Sequence, residues 1–274
     1  VNPEAAELSY SDAELLESLC CTSDDDPTLL NVAGVLLFGT QKMLRRHLPM
    51  ARVDYIRVPT MEWVEDPDES FETVDMRGSL LLLVSRAVNL VRDDLLKGFV
   101  APKDGVQAGS RMLPAEVLRE AIVNALMHSS YREGSPIQII RYPNRIEIRN
   151  AGYSLKPPEK LLTPGSVPRN KILAPVFHDT NLAETKGSGF KRMERALRRV
   201  GLALPTAESD RVGNTFSLIL LLHHLLNEDD LNWLEAFKGI RLTDKEKLGL
   251  VFVRQIGAID NFSYRRQTGV ETLK

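Results

Sequence analysis

Arg119-Glu120-Ala121-Ile122-Val123-Asn124-Ala125-Leu126-Met127-His128 is the stretch on which the fold turns. Its apolar residues, with Val117 and Leu118 just upstream, recur at helical spacing and make one continuous face. Pro114 stands where a helix start favours proline, so the pattern predicts a helix over 115–127. Glu120 and Asn124 are four residues apart and share a face of that helix. A carboxylate beside a carboxamide can hold a divalent ion and orient a water next to a phosphate. On spacing alone, a solvated polar stripe is the commoner meaning of such a pair.

C-terminal to this helix, 136–142 and 145–149 read as two strands. The tight turn Pro143-Asn144 between them predicts a hairpin. A long segment follows from Asn150 to about Asn181, with Pro157, Pro158, Pro164, Pro168 and Pro175 and a helical piece near 172–177. A loop of this length is usually functional, for example a lid. Residues 187–200 predict another helix, with Phe190, Met193, Leu197 and Val200 inward, and 215–222 a strand.

N-terminal to it, 9–21 read as a short helix capped by Ser11 or Asp12. The run Val32–Phe38 fits helix or strand by periodicity, and we favour a helix closed by Gly39. Residues 51–58 alternate as a strand, 59–71 are an acidic loop, 79–100 a long helix, and 101–111 a linker.

Three further segments carry chemistry. In Ile146-Glu147-Ile148-Arg149-Asn150-Ala151-Gly152-Tyr153-Ser154-Leu155, a strand ends on Asn150 and a glycine turn follows. In Gly165-Ser166-Val167-Pro168-Arg169-Asn170, Arg169 can meet a phosphate with its fork of donors, or be a solvated loop arginine. In Glu184-Thr185-Lys186-Gly187-Ser188-Gly189-Phe190-Lys191-Arg192-Met193, two glycines precede a helix. Exposed backbone N–H groups and the positive helix end suit a phosphate there, although a plain helix-start turn has the same look.

Taken together and in this order, these segments resemble the GHKL (histidine-kinase-like) ATPases. Glu120–His128 resembles their N-box, and more closely the divergent form once assigned to the C-terminal part of RecG-like helicases. That form follows an AlbA/Schlafen-type ("divergent AAA") module in bacterial transcription regulators. Its usual run continues from the histidine as Arg-Asp-Tyr, where this chain has Ser129-Ser130-Tyr131. Its strand ends in Asn-Pro-Gly-Gly, where this chain has Asn150-Ala151-Gly152, and the Asp that binds the adenine amino group in standard GHKL enzymes is Asn150 here. Glu184–Met193 resembles the second glycine box, and the segment Ala33–Gly39 resembles the stretch just after the AlbA-like core.

The resemblance implies ATP and Mg²⁺ as cofactors. It implies Glu120 as the catalytic residue that orients the attacking water, in a weak ATPase whose turnover is left open, and Asn124 as the metal ligand. Asn124, His128, Asn150, Gly152, Arg169, Asn170, Gly187 and Gly189 would be the cofactor-binding set, with Gly187, Gly189 and Arg169 cradling phosphates and 153–181 closing as a lid. A binding scaffold of GHKL shape without nucleotide is the alternative, favoured by Asn150 in place of Asp and by the altered Ser129-Ser130.

Near the C-terminus, Thr243-Asp244-Lys245-Glu246 spells a capping box. Asn261 can cap a second short helix over 262–267. Tyr264-Arg265-Arg266-Gln267-Thr268-Gly269-Val270 resembles the turn of a winged helix-turn-helix, with a recognition helix expected from Glu271. A plain helical hairpin is the alternative. The helix after Gly189 carries Lys191, Arg192, Arg195, Arg198 and Arg199 outward, as a solvated face or as a contact to DNA phosphates.

Composition sets the frame for these readings. The chain has 274 residues, 43% hydrophobic and 26% charged, with a formal net charge of −2. There is therefore no global attraction to nucleic acid or anionic membrane, and DNA contact needs a local basic patch. No apolar run is long enough to span a bilayer, and Val1-Asn2-Pro3-Glu4 does not open a signal peptide. The missing initiator Met suggests a piece of a longer protein, or processing. Cys20 and Cys21 are adjacent, a poor disulfide geometry, and no spaced Cys/His set suggests zinc. His47, His178, His223 and His224 do not form a metal pattern. A reducing, cytoplasmic setting is expected.

The expected architecture is α+β. Residues 1–110 would be the tail of an AlbA-like module and connector. Residues 111–225 would be a GHKL-like α/β sandwich, its mixed sheet covered by helices on one face. Residues 226–274 would be a linker and a truncated winged helix. Expected partners are DNA, through missing or neighbouring domains, and a second copy in a homodimer, with no membrane.

Overall fold

The computed structural model describes residues 6–60, 63, 71–97, 113–157, 160, 161, 163, 165–183, 189–222 and 228–270. Short helices α1 (Asp12–Ser18), α2 (Val32–Phe38) and α3 (Gln41–His47) lead into strands β1 (Val53–Arg57) and β2 (Glu72–Met76). The long helices α4 (Leu80–Lys97) and α5 (Ala115–His128) follow, then the hairpin β3 (Ile137–Arg141) and β4 (Arg145–Ala151). After α6 (Leu173–Asp179) and α7 (Gly189–Val200) come β5 (Thr206–Asp210) and β6 (Thr215–Leu221), then α8 (Glu228–Leu234), α9 (Asp244–Ile256) and α10 (Asn261–Thr268).

Local chemistry sets many of these boundaries. Ser11, rather than Asp12, caps α1 in a reciprocal capping box with Glu14. Asn31 caps α2 by accepting from Gly34 N–H at 2.9 Å, and its amide donates to the Cys20 and Thr22 carbonyls. The expected box of Thr243 with Glu246 opens α9. Asp260 caps α10, one residue before the expected Asn261, accepting from Ser263 N–H at 2.6 Å. The expected linker at 101–111 and the recognition helix from Glu271 lie outside the described residues.

The six strands form one mixed sheet in the order β2-β1-β3-β4-β6-β5. Among the described residues only β1 and β3 run parallel, Val53 beside Ile137 through Arg57 beside Arg141. The expected hairpin is present, closed by Tyr142 N–H on the Arg145 carbonyl at 2.9 Å. Strands from before residue 110 and after residue 111 thus share one sheet.

The main core lies between one face of this sheet and α4, α5, α6 and α7. Side chains alternate across a strand, so Val53, Tyr55, Ile137, Ile139, Ile146, Ile148, Leu218 and Leu220 all face these helices. On α5, Val117, Leu118, Ala121, Ile122, Ala125 and Leu126 are buried as the spacing predicts. Each large apolar side chain among them contributes roughly 1.5–3 kcal/mol relative to exposure. The opposite face carries a smaller cluster of Ile56, Val58, Ile140 and Tyr142. There Glu147 is buried between Arg145, at 2.7 Å, and Arg149. Helix cover is not confined to one face. Leu221 is one residue beyond the inward Leu220 and turns the other way, where Phe252 of α9 packs on it beside Ala203.

Candidate functional site

A water-accessible cavity of about 110 Å³ opens between α5, the ends of β4 and β6, the start of α7, and the 152–169 loop. Glu120, Asn124 and His128 line it from one stripe of α5. They follow at four-residue steps, so the first and last are about 12 Å apart along the helix axis. The site therefore has two ends.

At the first end, Asn124 Nδ2 donates to Glu120 Oε1 at 3.0 Å. The pair meets the start of α7. A Cβ added at Gly189 would lie 2.7 Å from Glu120 Cδ and nearer still to Oε1. Only glycine leaves room for the helix to begin against that carboxylate. The start of α7 brings partial positive charge to the same place. Burial pushes the Glu120 carboxyl up, while the Asn124 hydrogen bond and the Arg192 and Arg119 charges pull it down. A carboxyl raised in this way is better matched to proton transfer near neutrality.

At the second end, β4 finishes in Asn150-Ala151 and the chain turns at Gly152, whose φ is +99°. A Cβ at Gly152 would lie 2.8 Å from Arg169 Nε. Glycine here provides both the left-handed backbone and the space for the guanidinium. Arg169 Nη2 donates to the Tyr153 carbonyl at 2.7 Å, and its guanidinium sits 5.2 Å from the Tyr153 ring. Arg169 Nε is buried and finds no acceptor among the described residues. It is thus a donor that a bound molecule's acceptor could satisfy. Asn150 is buried, and its Nδ2 donates to the Ala151 carbonyl at 2.9 Å. With the amide donor engaged locally, its oxygen is the group suited to receive a ligand N–H.

The expected residues are therefore divided. Glu120, Asn124 and Gly189 converge at one end, and His128, Asn150, Gly152 and Arg169 line the remainder. Arg169 is packed on Gly152, and Gly189 on Glu120. Asn170 is not in the lining. Its Nδ2 donates to the Met127 and Ser129 carbonyls at 2.8 and 2.9 Å, supplying partners to the otherwise unpaired C-terminal carbonyls of α5. Gly187 lies outside the described residues.

Other lining residues were not among the expected ones. Tyr153, Leu155 and Lys156 come from the loop, and Phe216 and Leu218 from β6. Lys156 Nζ donates to the Thr163 and Gly165 carbonyls at 2.9 and 2.7 Å, tying the loop over the cavity. The alternation of β6 could have flagged Phe216 and Leu218. Nothing local flags Lys156.

Burial, with the Arg169 charge, holds His128 down to about 4 from 6.5. Below pH 6.5 the unfolded chain takes up a proton that the folded chain refuses, so stability falls as pH falls. Between pH 6.5 and about pH 5 this amounts to roughly 2 kcal/mol. Urea unfolding of wild type and His128→Gln across this window should show that extra loss in wild type alone. Parallel pH profiles would contradict it.

Among the described residues, no three His, Cys, Asp or Glu side chains group as a metal site. A Mg²⁺ ion here would take Asn124 and draw most of its remaining ligands from phosphates and water, as Mg²⁺ commonly does. No helix among the described residues is long and apolar enough to cross a membrane.

Residues 134–220 match the family described as "Putative ATP-dependent DNA helicase recG C-terminal", so this part of the chain is similar to a divergent ATPase-like domain. The match takes in Asn150, Gly152, Arg169 and Gly189, and begins downstream of Glu120 and Asn124. Residues 1–54 match a "Domain of unknown function (DUF8451)". Among solved structures, the fold is similar to the crystal structure of the DIP2311 protein from Corynebacterium diphtheriae, with a TM-score of 0.59 and 18% identity over 97% of this chain. The chain spans about half of that protein, 51% of its length. No curated protein matches the chain.

Proposed function

We propose that the pocket binds ATP with Mg²⁺, and that nucleotide occupancy is a regulatory switch in a DNA-binding transcription regulator of the cytoplasm. The observation that carries this reading is the open, two-ended cavity, with the Glu120–Asn124 pair set against the start of α7 at one end and Asn150–Gly152 at the other. A nucleotide is polar at both ends and needs that separation. Asn124 would hold the metal, and the start of α7 at Gly189 would face the phosphates. Glu120 would orient a water, and the Asn150 oxygen would accept from the adenine amino group. Arg169 Nε, at the Asn150 end, would meet an acceptor there. The 153–181 segment would close over the ligand and transmit its presence to neighbouring parts.

The alternative is a scaffold of the same shape without nucleotide, and a homodimer is compatible with either. It is favoured by a neutral amide at position 150 in place of a carboxylate, and by Ser129-Ser130 after the histidine. A thermal-shift titration separates the two. ATP with Mg²⁺ should raise the melting temperature saturably, by the equivalent of about 2.7 kcal/mol at a hundredfold excess over Kd. The rise should disappear in Asn124→Ala. No shift at millimolar ATP in the folded protein would favour the scaffold.

A further inference from the structure

Helix α7 has a second face that the pocket does not use. Met193, Ala196 and Leu197 are buried, and they fix the inward side. Lys191, Arg195 and Arg198 lie opposite, within about 60° of helix arc, and all three are exposed. None of the three forms an ion pair among the described residues. Arg199 extends the ridge and meets Glu116 at 3.7 Å, both exposed. The one acidic residue of α7, Glu194, is half-buried and engaged by Arg266 Nε of α10 at 3.0 Å. The helix thus holds five cations and one neutralised carboxylate in a chain whose net charge is −2.

A face that serves only solubility usually interleaves opposite charges. Here Lys191, Arg195 and Arg199 repeat the same charge at i, i+4, costing about 0.2–0.5 kcal/mol per pair. Among the described residues, no ion pair offsets that cost at Lys191 and Arg195. We infer that the Lys191–Arg195–Arg198 ridge of α7 is a docking surface for the phosphate backbone of duplex DNA, contiguous with α10 through the Glu194–Arg266 pair. The ridge is about 10 Å long, and a strand advances 3.4 Å per phosphate along the duplex axis, so it spans roughly three phosphates. An anionic membrane is disfavoured because the apolar side of α7 is committed to the core and cannot insert. Single-stranded nucleic acid is disfavoured because the ridge carries no aromatic platform.

The inference rests on the DNA-binding half of the proposed function. The test is fluorescence anisotropy with a short mixed-sequence duplex between about 50 and 200 mM salt. Wild type should bind with steep salt dependence. The triple variant Lys191→Gln, Arg195→Gln, Arg198→Gln should bind at least tenfold more weakly at the lowest salt. Its log–log salt slope should be shallower by about 2.7, for three lost phosphate contacts. Its melting temperature should not fall, and relief of the like-charge pairs should at most raise it slightly; its response to ATP should stay unchanged, since the three side chains are solvent-exposed. If the variant binds as tightly with the same slope, the ridge is not the surface, while DNA binding itself stands. If wild type does not bind duplex at low salt, both fall. Preferential binding to phosphatidylserine vesicles over duplex would also overturn the inference.

Discussion

Replacing Phe177 with alanine is expected to lower the unfolding free energy by about 3–5 kcal/mol, the range for deleting a fully buried phenylalanine. Phe177 is 0% exposed and belongs to the main core. Its position gives the loss a second meaning. The Phe177 carbonyl receives the Leu182 and Ala183 N–H groups at 2.7 and 2.8 Å, stopping α6 and turning the chain. Asn170 and Arg119 tie the same region to α5 on either side of α6. Phe177 is therefore the apolar anchor of α6, which follows the cavity-lining loop in the chain. Chemical denaturation of Phe177→Ala should show the full loss, and Phe177→Leu a much smaller one, since most of the buried volume is kept. A loss under 1 kcal/mol in Phe177→Ala would mean that α6 is not packed as described.

How far the sequence foretells the fold depends on where an element sits in the sheet. The helix face of α5 and the strands β1, β3, β4 and β6 have an apolar period that survives because each is buried on at least one side. The unforeseen strands β2 and β5 are the two edges. Glu72-Thr73-Val74-Asp75-Met76 buries only Met76, and Thr206-Ala207-Glu208-Ser209-Asp210 only Thr206. An edge strand has a neighbour on one side alone and often carries charge that discourages further pairing, so the alternation that announces a strand is weak there. The parallel pairing of Val53 with Ile137 is also invisible locally, because it joins residues 84 positions apart. The same limit applies to Leu221, which reads as a residue near the end of a strand. Only the tertiary position of α9 shows that it faces Phe252.

For the site, helical spacing was enough to bring Glu120 and Asn124 together, since four residues on a helix fix their proximity before any tertiary contact forms. Loop residues had no such rule. Arg169 and Asn170 are neighbours in sequence, yet one packs on the Gly152 turn and the other holds the end of α5. Their separation follows from the path of the loop after Lys156, which side-chain hydrogen bonds to distant carbonyls determine. Proximity is therefore legible along α5, where helical spacing sets it, and not in the loop, where the path of the chain does.

Gly189→Ala should weaken ATP binding at least a hundredfold, about 2.7 kcal/mol, while leaving the protein folded. The methyl group would collide with Glu120, not with backbone. A glutamate side chain can rotate away, so the stability cost is small, and alanine's better helix propensity partly offsets it. The displaced carboxylate would lose its Asn124 partner and move into the space proposed for phosphate. The clash is thus converted into charge repulsion at the ligand. A double-mutant cycle isolates this route. In a Glu120→Ala background the new methyl meets no carboxylate, and Gly189→Ala should then change ATP affinity by less than about threefold, a coupling of at least about 2 kcal/mol. Measured by isothermal titration, an equal loss in both backgrounds would mean that the methyl blocks the ligand directly. Unchanged affinity in the single variant would place the phosphates away from the start of α7. The first outcome keeps the pocket and revises the role of Glu120, whereas the second removes the geometry on which the nucleotide reading depends.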